Sequence, residues 1–355
     1  MLNDIKEIRI EKTNQTRIGE FDENNLKFGR EFTDHMFVAD YHDGEWQDAR
    51  IIPYQNLSLS PATSFIHYGQ SIFEGLKAHK SENGEILVFR PDANWKRMNE
   101  SAHRMCMAQL PRELFMDSII KLLQLDSAWM PSAKGTSMYI RPFMFATEPF
   151  LGVKPSPSYR FMVILSPSGS YYSEPVRVKI EKHYARAMEG GVGSAKTSGN
   201  YAASLYPALQ GMKEGYDQLI WTDAKDHERI EEAGTMNIMF VVDGKVITPK
   251  PSTSILDGIT RQSVVQIARD WGYEVEQRTI YVKEILEAIQ NGTLTEAFGV
   301  GTAATIAPIK TIGIDGVDYD LNPVDNRPFS QKMGAYLSDY KHGKVDDEYH
   351  WLVRV

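Results

Sequence analysis

Cysteine is almost absent: Cys106 is the single thiol in 355 residues. That count excludes an intramolecular disulfide, a CxxC redox pair and a cysteine-cluster metal site, so no metal is expected, and it fits a reducing, cytoplasmic compartment. Within Ala102-His103-Arg104-Met105-Cys106-Met107-Ala108 the thiol is expected to act as a small apolar residue on a helix. Long apolar runs are missing as well; none approaches the roughly 18 residues that a membrane-spanning helix needs. Basic residues are in deficit, 39 Lys and Arg against 47 Asp and Glu, and no Lys/Arg block breaks the balance. A net charge of −8 therefore argues against a nucleic-acid partner. The N-terminal stretch Met1-Leu2-Asn3-Asp4-Ile5-Lys6-Glu7 carries acids and no apolar core, so no signal peptide is expected there.

What is present is an ordinary globular composition, 42% hydrophobic and 24% charged, in a chain long enough for two domains. Ile86-Leu87-Val88-Phe89 follows the hairpin signal Asn83-Gly84, and Ser137 to Arg141 and Phe161 to Leu165 read as further strands. Between them Ile119, Ile120, Leu122 and Leu123 mark a helical face. Residues 167–176, rich in Ser, Pro and Gly, form the expected linker between an N-terminal domain over 1–166 and a C-terminal domain over 177–355. In the second half Gln218 to Trp221 and Ile238 to Val242 read as strands, and Asp243-Gly244 folds the latter back onto Val246 to Thr248. A helix over Gln262 to Trp271 is stopped by Gly272. Strands and helices alternate without a repeat, which predicts two mixed α/β (α+β) domains with a ligand at their interface.

Lys196 is the residue with most to say. It follows Gly190-Gly191-Val192-Gly193-Ser194-Ala195, a run of small residues through which backbone can approach a flat ligand, and it precedes Thr197-Ser198-Gly199-Asn200-Tyr201. A lysine in a poorly hydrated pocket can form a Schiff base with a carbonyl. A phosphate loop is the rival reading, since the run nearly satisfies G-x-x-x-x-G-K-[ST] from Gly190, but Ala195 stands where that motif needs glycine. No continuous apolar strand feeds the run either, because His183 to Glu189 precedes it. Further on come Glu231-Glu232-Ala233-Gly234-Thr235-Met236-Asn237 and Phe298-Gly299-Val300-Gly301-Thr302-Ala303-Ala304. Pyridoxal-phosphate chemistry needs a lysine for the aldehyde, a carboxylate for the pyridine nitrogen, and amides, hydroxyls and an arginine for the phosphate.

With these segments in view, the chain resembles the branched-chain amino-acid aminotransferases, fold-type IV pyridoxal-phosphate enzymes related to D-amino-acid aminotransferase and aminodeoxychorismate lyase. The resemblance runs from Phe28-Gly29 and Phe32-Thr33-Asp34-His35-Met36 to the Thr302 region. It includes His67-Tyr68-Gly69-Gln70-Ser71-Ile72-Phe73-Glu74-Gly75-Leu76-Lys77-Ala78, Phe89-Arg90-Pro91 with Asn94-Trp95-Lys96-Arg97-Met98, and Gly135-Thr136-Ser137-Met138-Tyr139-Ile140-Arg141-Pro142. It implies that Lys196 is the Schiff-base lysine and proton shuttle, and that Glu232 pairs with the pyridine nitrogen. Glu231 beside it reads as a solvated surface acid. Tyr201 is implied as the hydrogen-bond partner of the ring O3′. Arg97, Ile259, Thr260 and Thr302 are implied as the phosphate site, Ile259 and Thr260 opening a helix whose N-terminus suits an anion. Arg97 taken alone reads as an exposed charge on an amphipathic helix.

The same resemblance implies a substrate pocket. Thr235 and Ala303 would receive the α-carboxylate on backbone amides, and Phe28, Tyr68, Phe73, Tyr139 and Tyr201 would wall the side chain. Arg141 would accommodate the second carboxylate of glutamate, since a cation within a strand is costly to bury without a partner. Leu151 and Val153 match a loop that completes the neighbouring subunit's pocket, which implies a homodimer. One departure stands out: the run after Gly301-Thr302-Ala303 has no cysteine, so the CxxC regulation of the eukaryotic members does not carry over. The implied activity is reversible transamination of leucine, isoleucine and valine with 2-oxoglutarate. The related D-amino-acid aminotransferase and aminodeoxychorismate lyase chemistries, and the phosphate loop, are the alternatives.

Overall fold

The computed structural model describes residues 7–169 and 174–355. The N-terminal residues read above for a signal, up to Lys6, and residues 170–173 of the expected linker lie outside those described. The chain divides into two compact units, Met1–Tyr171 with Ala195–Ser198 and Asp339–Val355, and Tyr172–Ser194 with Gly199–Ser338. The first boundary falls inside the expected linker. Two short segments depart from the expected halves, because their hydrogen bonds lie with the first unit. Phe73 N–H donates to the Lys196 carbonyl, Thr197 Oγ1 donates to the Ser71 carbonyl, and Leu352–Arg354 pairs with Ile86–Phe89.

The first unit is built on a mixed sheet, antiparallel except where Arg9–Ile10 runs beside Glu45–Pro53. Its order continues through His35–His42, Tyr159–Ser168, Ser137–Ala146, Leu76–Lys80, Ile86–Phe89 and Leu352–Arg354. The central strand Ser137–Ala146 extends well past the expected Arg141 and runs through Pro142. A proline inside a sheet has no N–H to give its neighbour, so the neighbour must be interrupted there. It is: Ser71–Phe73 pairs with Phe143 to Phe145 and Leu76–Lys80 pairs with Met138 to Ile140, leaving Glu74 and Gly75 between them. At the break Glu74 N–H donates to the Pro142 carbonyl at 2.7 Å. Pro142 thereby creates the gap through which Glu74 turns out of the sheet.

Behind one face lie the helices Pro91–Arg104 and Arg112–Leu125, the second containing the expected Ile119 to Leu123 face. They bury Met98, Ala102, Phe115, Ile119 and Leu122 against Phe37, Ala78, Val88, Ile140 and Phe161, each worth about 1.5–3 kcal/mol for a large side chain. Cys106 does not sit on the helix as expected. It falls past the helix end, exposed and in a left-handed conformation (φ 54°), because Pro91–Arg104 stops first.

On strand Leu76–Lys80, Lys77 and His79 share one side, with Lys341 and His342 near them in the same unit. His79 is buried and, among the described residues, neither of its ring nitrogens has a hydrogen-bond partner; burial, with Lys341, His342 and Lys77 around it, holds it well below the ordinary histidine range. Burial also pushes Lys77 down to about 8, and burial with Lys77 nearby pushes Lys341 down to about 7. Between those values and the ordinary 10.5 the folded state binds fewer protons than the unfolded one, so these lysines make stability rise with pH. Lys341→Met is accordingly expected to raise the Tm more at pH 6 than at pH 9, which calorimetry at the two pH values checks.

In the second unit strand register closes a ring. Met236–Val242 pairs with Leu294–Gly301, then come Thr305–Ile314, Val176–Glu181, Gln218–Thr222 and Arg229–Ala233, and the last returns to Met236–Val242 through Glu232 opposite Asn237. Pairings with Val176–Glu181 are parallel and the others in the ring antiparallel, so the sheet is mixed. The ring encloses Val178, Ile220, Ile238, Phe240, Ala297, Ile309 and Ile312 in one apolar cluster. The expected hairpin is present as Met236–Val242 with Lys245–Pro249. The expected helix spans Ile259–Asp270, ending as Gly272 takes a left-handed φ of 82°. Among the described residues no helix is long and apolar enough to cross a membrane, and no group of three or more His, Cys, Asp or Glu is placed to hold a metal ion.

Candidate active site

In the first unit the segment around Lys196 is fixed by its main chain. Lys196 N–H donates to Ser101 Oγ at 2.9 Å, its carbonyl accepts from Phe73 N–H at 3.0 Å, and Thr197 bridges to Ile72. Ser71 and Ser198 hydroxyls meet at 2.7 Å. The half-buried amine reaches over the Phe73 ring, with Nζ 4.9 Å from the centroid. Its charge also acts on Glu74, a fully buried carboxylate that sequence reasoning did not single out. The signal was available: an acid between Phe73 and Gly75 in an otherwise apolar strand region needs a partner.

That partner is Arg97. Its Nε and Nη2 donate to the two Glu74 oxygens at 2.7 and 2.8 Å, and Asn94 Nδ2 donates at 2.7 Å. Burial alone would raise the Glu74 carboxyl, but Arg97, Lys196 and Asn94 together hold it below the usual carboxylate range. Arg97 is 7% exposed, so the exposed-charge reading does not apply. The bidentate pair fixes the guanidinium plane.

Phe28, Phe73, Tyr139 and Arg141 come together in the same unit. The Phe28 and Tyr139 rings meet edge-on at 4.8 Å, and the Arg141 guanidinium lies 4.7 Å from the Phe73 ring centre and 5.2 Å from that of Tyr139. Arg141 Nη2 donates to the Tyr139 hydroxyl at 2.8 Å, while its Nε is buried without a hydrogen-bond partner among the described residues. A donor so placed is costly unless a ligand satisfies it. Gly75 is required beneath this cluster, since a Cβ there would lie 2.1 Å from the Tyr139 hydroxyl. Tyr68 ends a short helix and is exposed, and Leu151 and Val153 stand 66% and 87% exposed in a loop after the central strand.

In the second unit Glu232 is 4% exposed. Its Oε1 accepts from Leu256 N–H at 3.0 Å and from Asn237 Nδ2 at 3.1 Å, and its Oε2 lies 2.6 Å from Arg186 Nε. Glu231 is not the solvated acid expected: Ile230 to Ala233 on the strand Arg229–Ala233 are all buried, and Glu231 is 7% exposed. Burial raises its carboxyl above the ordinary range despite a hydrogen bond from Ser254. Ile259 and Thr260, both buried, open the 12-residue helix whose N-cap is Gly258, a residue with no side chain to offer the first-turn amides. Gly258 is also obligatory, because a Cβ would fall 1.9 Å from Asn237 Oδ1. Thr235 is exposed in the turn after Gly234, which has a φ of 56°. Thr302 and Ala303 occupy the turn before Thr305, whose φ of 62° is strained for a β-branched residue. Tyr201 lies on the helix Ser198–Ala203, which Asn200 ties to the Val192 carbonyl at 2.8 Å.

The Gly-rich run behaves differently from its sequence reading at one point. Gly193 is needed for close approach to the protein's own backbone, since a Cβ would stand 2.4 Å from the Ser254 carbonyl. Arg186, which also helps to hold this region together, carried no sequence signal that separated it from ordinary polar residues.

The first unit holds a half-buried amine, and the second a buried carboxylate and a helix whose N-cap brings no side chain to its first-turn amides; these are the kinds of group that a phosphorylated pyridine aldehyde needs. The comparisons agree. Residues 71–312 match the family model Amino-transferase class IV. Branched-chain-amino-acid transaminase 1 of Bacillus subtilis (strain 168) is 47% identical over 94% of this chain and 95% of its own. Branched-chain-amino-acid aminotransferase 2 of the same organism is 45% identical over 98% and 97%. Among solved structures, the branched-chain aminotransferase of Thermoproteus uzoniensis with norvaline is 25% identical, with a TM-score of 0.76 over 90% of this chain and 99% of that one. The T.th. branched-chain amino acid aminotransferase with pyridoxamine 5'-phosphate is 26% identical, with a TM-score of 0.71 over 89% and 97%. A buried arginine beside aromatic rings, a clamped lysine and these end-to-end matches all point one way: this chain belongs to the class IV amino-transferases, among the branched-chain-amino-acid aminotransferases, and its cofactor is pyridoxal 5'-phosphate.

Proposed function

We propose that the enzyme exchanges the amino group of leucine, isoleucine or valine with 2-oxoglutarate, reversibly and in two half-reactions. The observation that carries this reading is the group of Phe28, Phe73 and Tyr139 around Arg141, whose Nε is buried without a partner. Apolar walls favour a branched side chain by about 0.8 kcal/mol per CH₂ buried, or about 3 kcal/mol for four carbons. A cation among them serves glutamate, whose side chain ends in a carboxylate. Tyr68 and Tyr201 complete the wall on this reading, and the backbone amides of Thr235 and Ala303 receive the α-carboxylate.

When bound, pyridoxal phosphate supplies an electron sink for the substrate Cα. Lys196 Nζ holds the cofactor and moves the Cα proton, and Glu232 keeps the proton on the pyridine nitrogen. Tyr201 donates to the ring oxygen. Arg97, Ile259, Thr260 and Thr302 hold the phosphate, with Arg97 oriented by Glu74. The working form is a homodimer in the cytoplasm, with Leu151 and Val153 completing the partner's pocket. Their exposure supports this, as does the exposed apolar row Leu205, Tyr206, Leu209 and Met212 on the helix Leu205–Lys213. The single cysteine suits a reducing compartment.

Arg141→Ala tests the dual-substrate argument. Single-turnover rates with glutamate or 2-oxoglutarate are expected to fall by about 10²-fold, the scale of a lost charge-assisted contact, and those with leucine by far less. Equal losses would assign Arg141 a structural role instead. A substrate panel with leucine, isoleucine, valine, D-alanine and aminodeoxychorismate checks the class of substrate, and activity confined to the last two would overturn the proposal.

A further inference from the structure

The loop from Ser252 to Leu256 grips strand Arg229–Ala233 from both sides. Leu256 N–H reaches Glu232 on one face, and Ser254 Oγ donates to Glu231 on the other. Arg186 links the two. It is 9% exposed, its Nη2 donates to the Ser254 carbonyl at 2.5 Å and the Gly193 carbonyl at 3.2 Å, and its Nε stands 2.6 Å from Glu232 Oε2. That last approach is a charge contact without an aligned hydrogen bond, since the Nε–H is not aimed at the carboxylate. Glu231 borders a cleft of about 500 Å³ with Ser254, Asp223, Arg229, Lys250 and Arg278, and its Oε2 is buried without a hydrogen-bond partner among the described residues. A file of contacts thus runs from this cleft through Glu231, Ser254 and Arg186 to Glu232.

We propose that Arg186 is a positioning residue for Glu232, and that Ser254, clamped by Glu231 on the cleft side, sets where Arg186 sits. This rests on the reading that Glu232 faces the pyridine nitrogen. A proton shared between that nitrogen and a carboxylate stays on nitrogen only while the carboxylate is the better-stabilised anion. The guanidinium beside Oε2 supplies that stabilisation from the side away from the two neutral donors on Oε1. Without it the proton moves from nitrogen to Glu232, and the ring loses its pull on electrons.

The test uses the full-chain holoenzyme reconstituted with pyridoxal phosphate labelled with nitrogen-15 in the ring. In Arg186→Met the ring-nitrogen resonance is expected to move toward the unprotonated position, with kcat reduced by about 10- to 100-fold, the usual scale for an outer-shell partner, and KM little changed. Arg186→Lys is expected to recover most of both, and Ser254→Ala to move both the same way by less. A structural role alone would lower Tm or cofactor affinity and leave the resonance in place. The proposal is overturned if Arg186→Met keeps the native resonance while Glu232→Gln loses it. Should Arg186→Met fail to fold, native resonance and kcat in both Arg186→Gln and Ser254→Ala overturn it equally. A native resonance in Glu232→Gln would instead remove the underlying assignment of Glu232.

Discussion

Replacing Lys196 by alanine is expected to lower kcat by at least about 10³-fold, within the range that positioned acid–base groups contribute. On the proposed assignment two roles vanish together, the covalent hold on the cofactor and the transfer of the Cα proton. The fold should persist, because the segment is fixed by contacts that alanine keeps: the amide to Ser101, the carbonyl to Phe73 and the Thr197 hydroxyl to Ser71. The purified variant should bind pyridoxal phosphate without the absorption of the lysine-linked form. Borohydride should then fix no cofactor to the protein, whereas in the parent it should fix the cofactor to Lys196. Normal turnover in the variant, or labelling of another lysine in the parent, would remove Lys196 from the centre of the chemistry.

Glu232→Gln carries the second large effect, a loss of about 10²- to 10³-fold in kcat, comparable with removing one preorganised electrostatic group. The amide is nearly isosteric, and Oε1 can still accept from Leu256 and Asn237. What changes is the charge, so the cofactor should bind while its ring nitrogen loses its proton. The neighbour Glu231 is the natural competitor for the role. Its hydrogen bond to Ser254 and its place on the opposite side of the strand set it apart, and Glu231→Gln should cost far less. Steady-state rates with leucine and 2-oxoglutarate, alongside spectra confirming cofactor content, compare the two variants.

Much of this was legible in the sequence, for reasons that differ from element to element. Strand Ile86–Phe89 and the helix Ile259–Asp270 follow from local pattern, four apolar residues after Asn-Gly and a periodic apolar face stopped by glycine. The site residues were legible only as segments with a resemblance, because their roles depend on partners far along the chain. Arg97 illustrates the limit: its own helix reads as amphipathic surface, and only Glu74, brought in by the strand break opposite Pro142, makes it a buried pair. Glu231 illustrates the converse, since Ser254, from a distant loop, packs on a position that local polarity assigns to solvent. Cys106 misled for a smaller reason, a helix that ends before reaching it.

The return of the C-terminal segment to the first unit bears on how the chain is made. Strand Ile86–Phe89 is translated well before its partner Leu352–Arg354, and Trp351 then packs on Phe89 at 5.7 Å and lies beneath the Arg90 guanidinium. Until Leu352–Arg354 has been made, the row of amides and carbonyls along Val88 and its neighbours lacks that partner strand. The nascent first unit therefore waits with an open sheet edge, the feature by which chains pair with the wrong neighbour. A product cut before Leu352 would keep every group proposed for catalysis and still carry that edge into the cell, where its failure would show as aggregation and not as slow turnover.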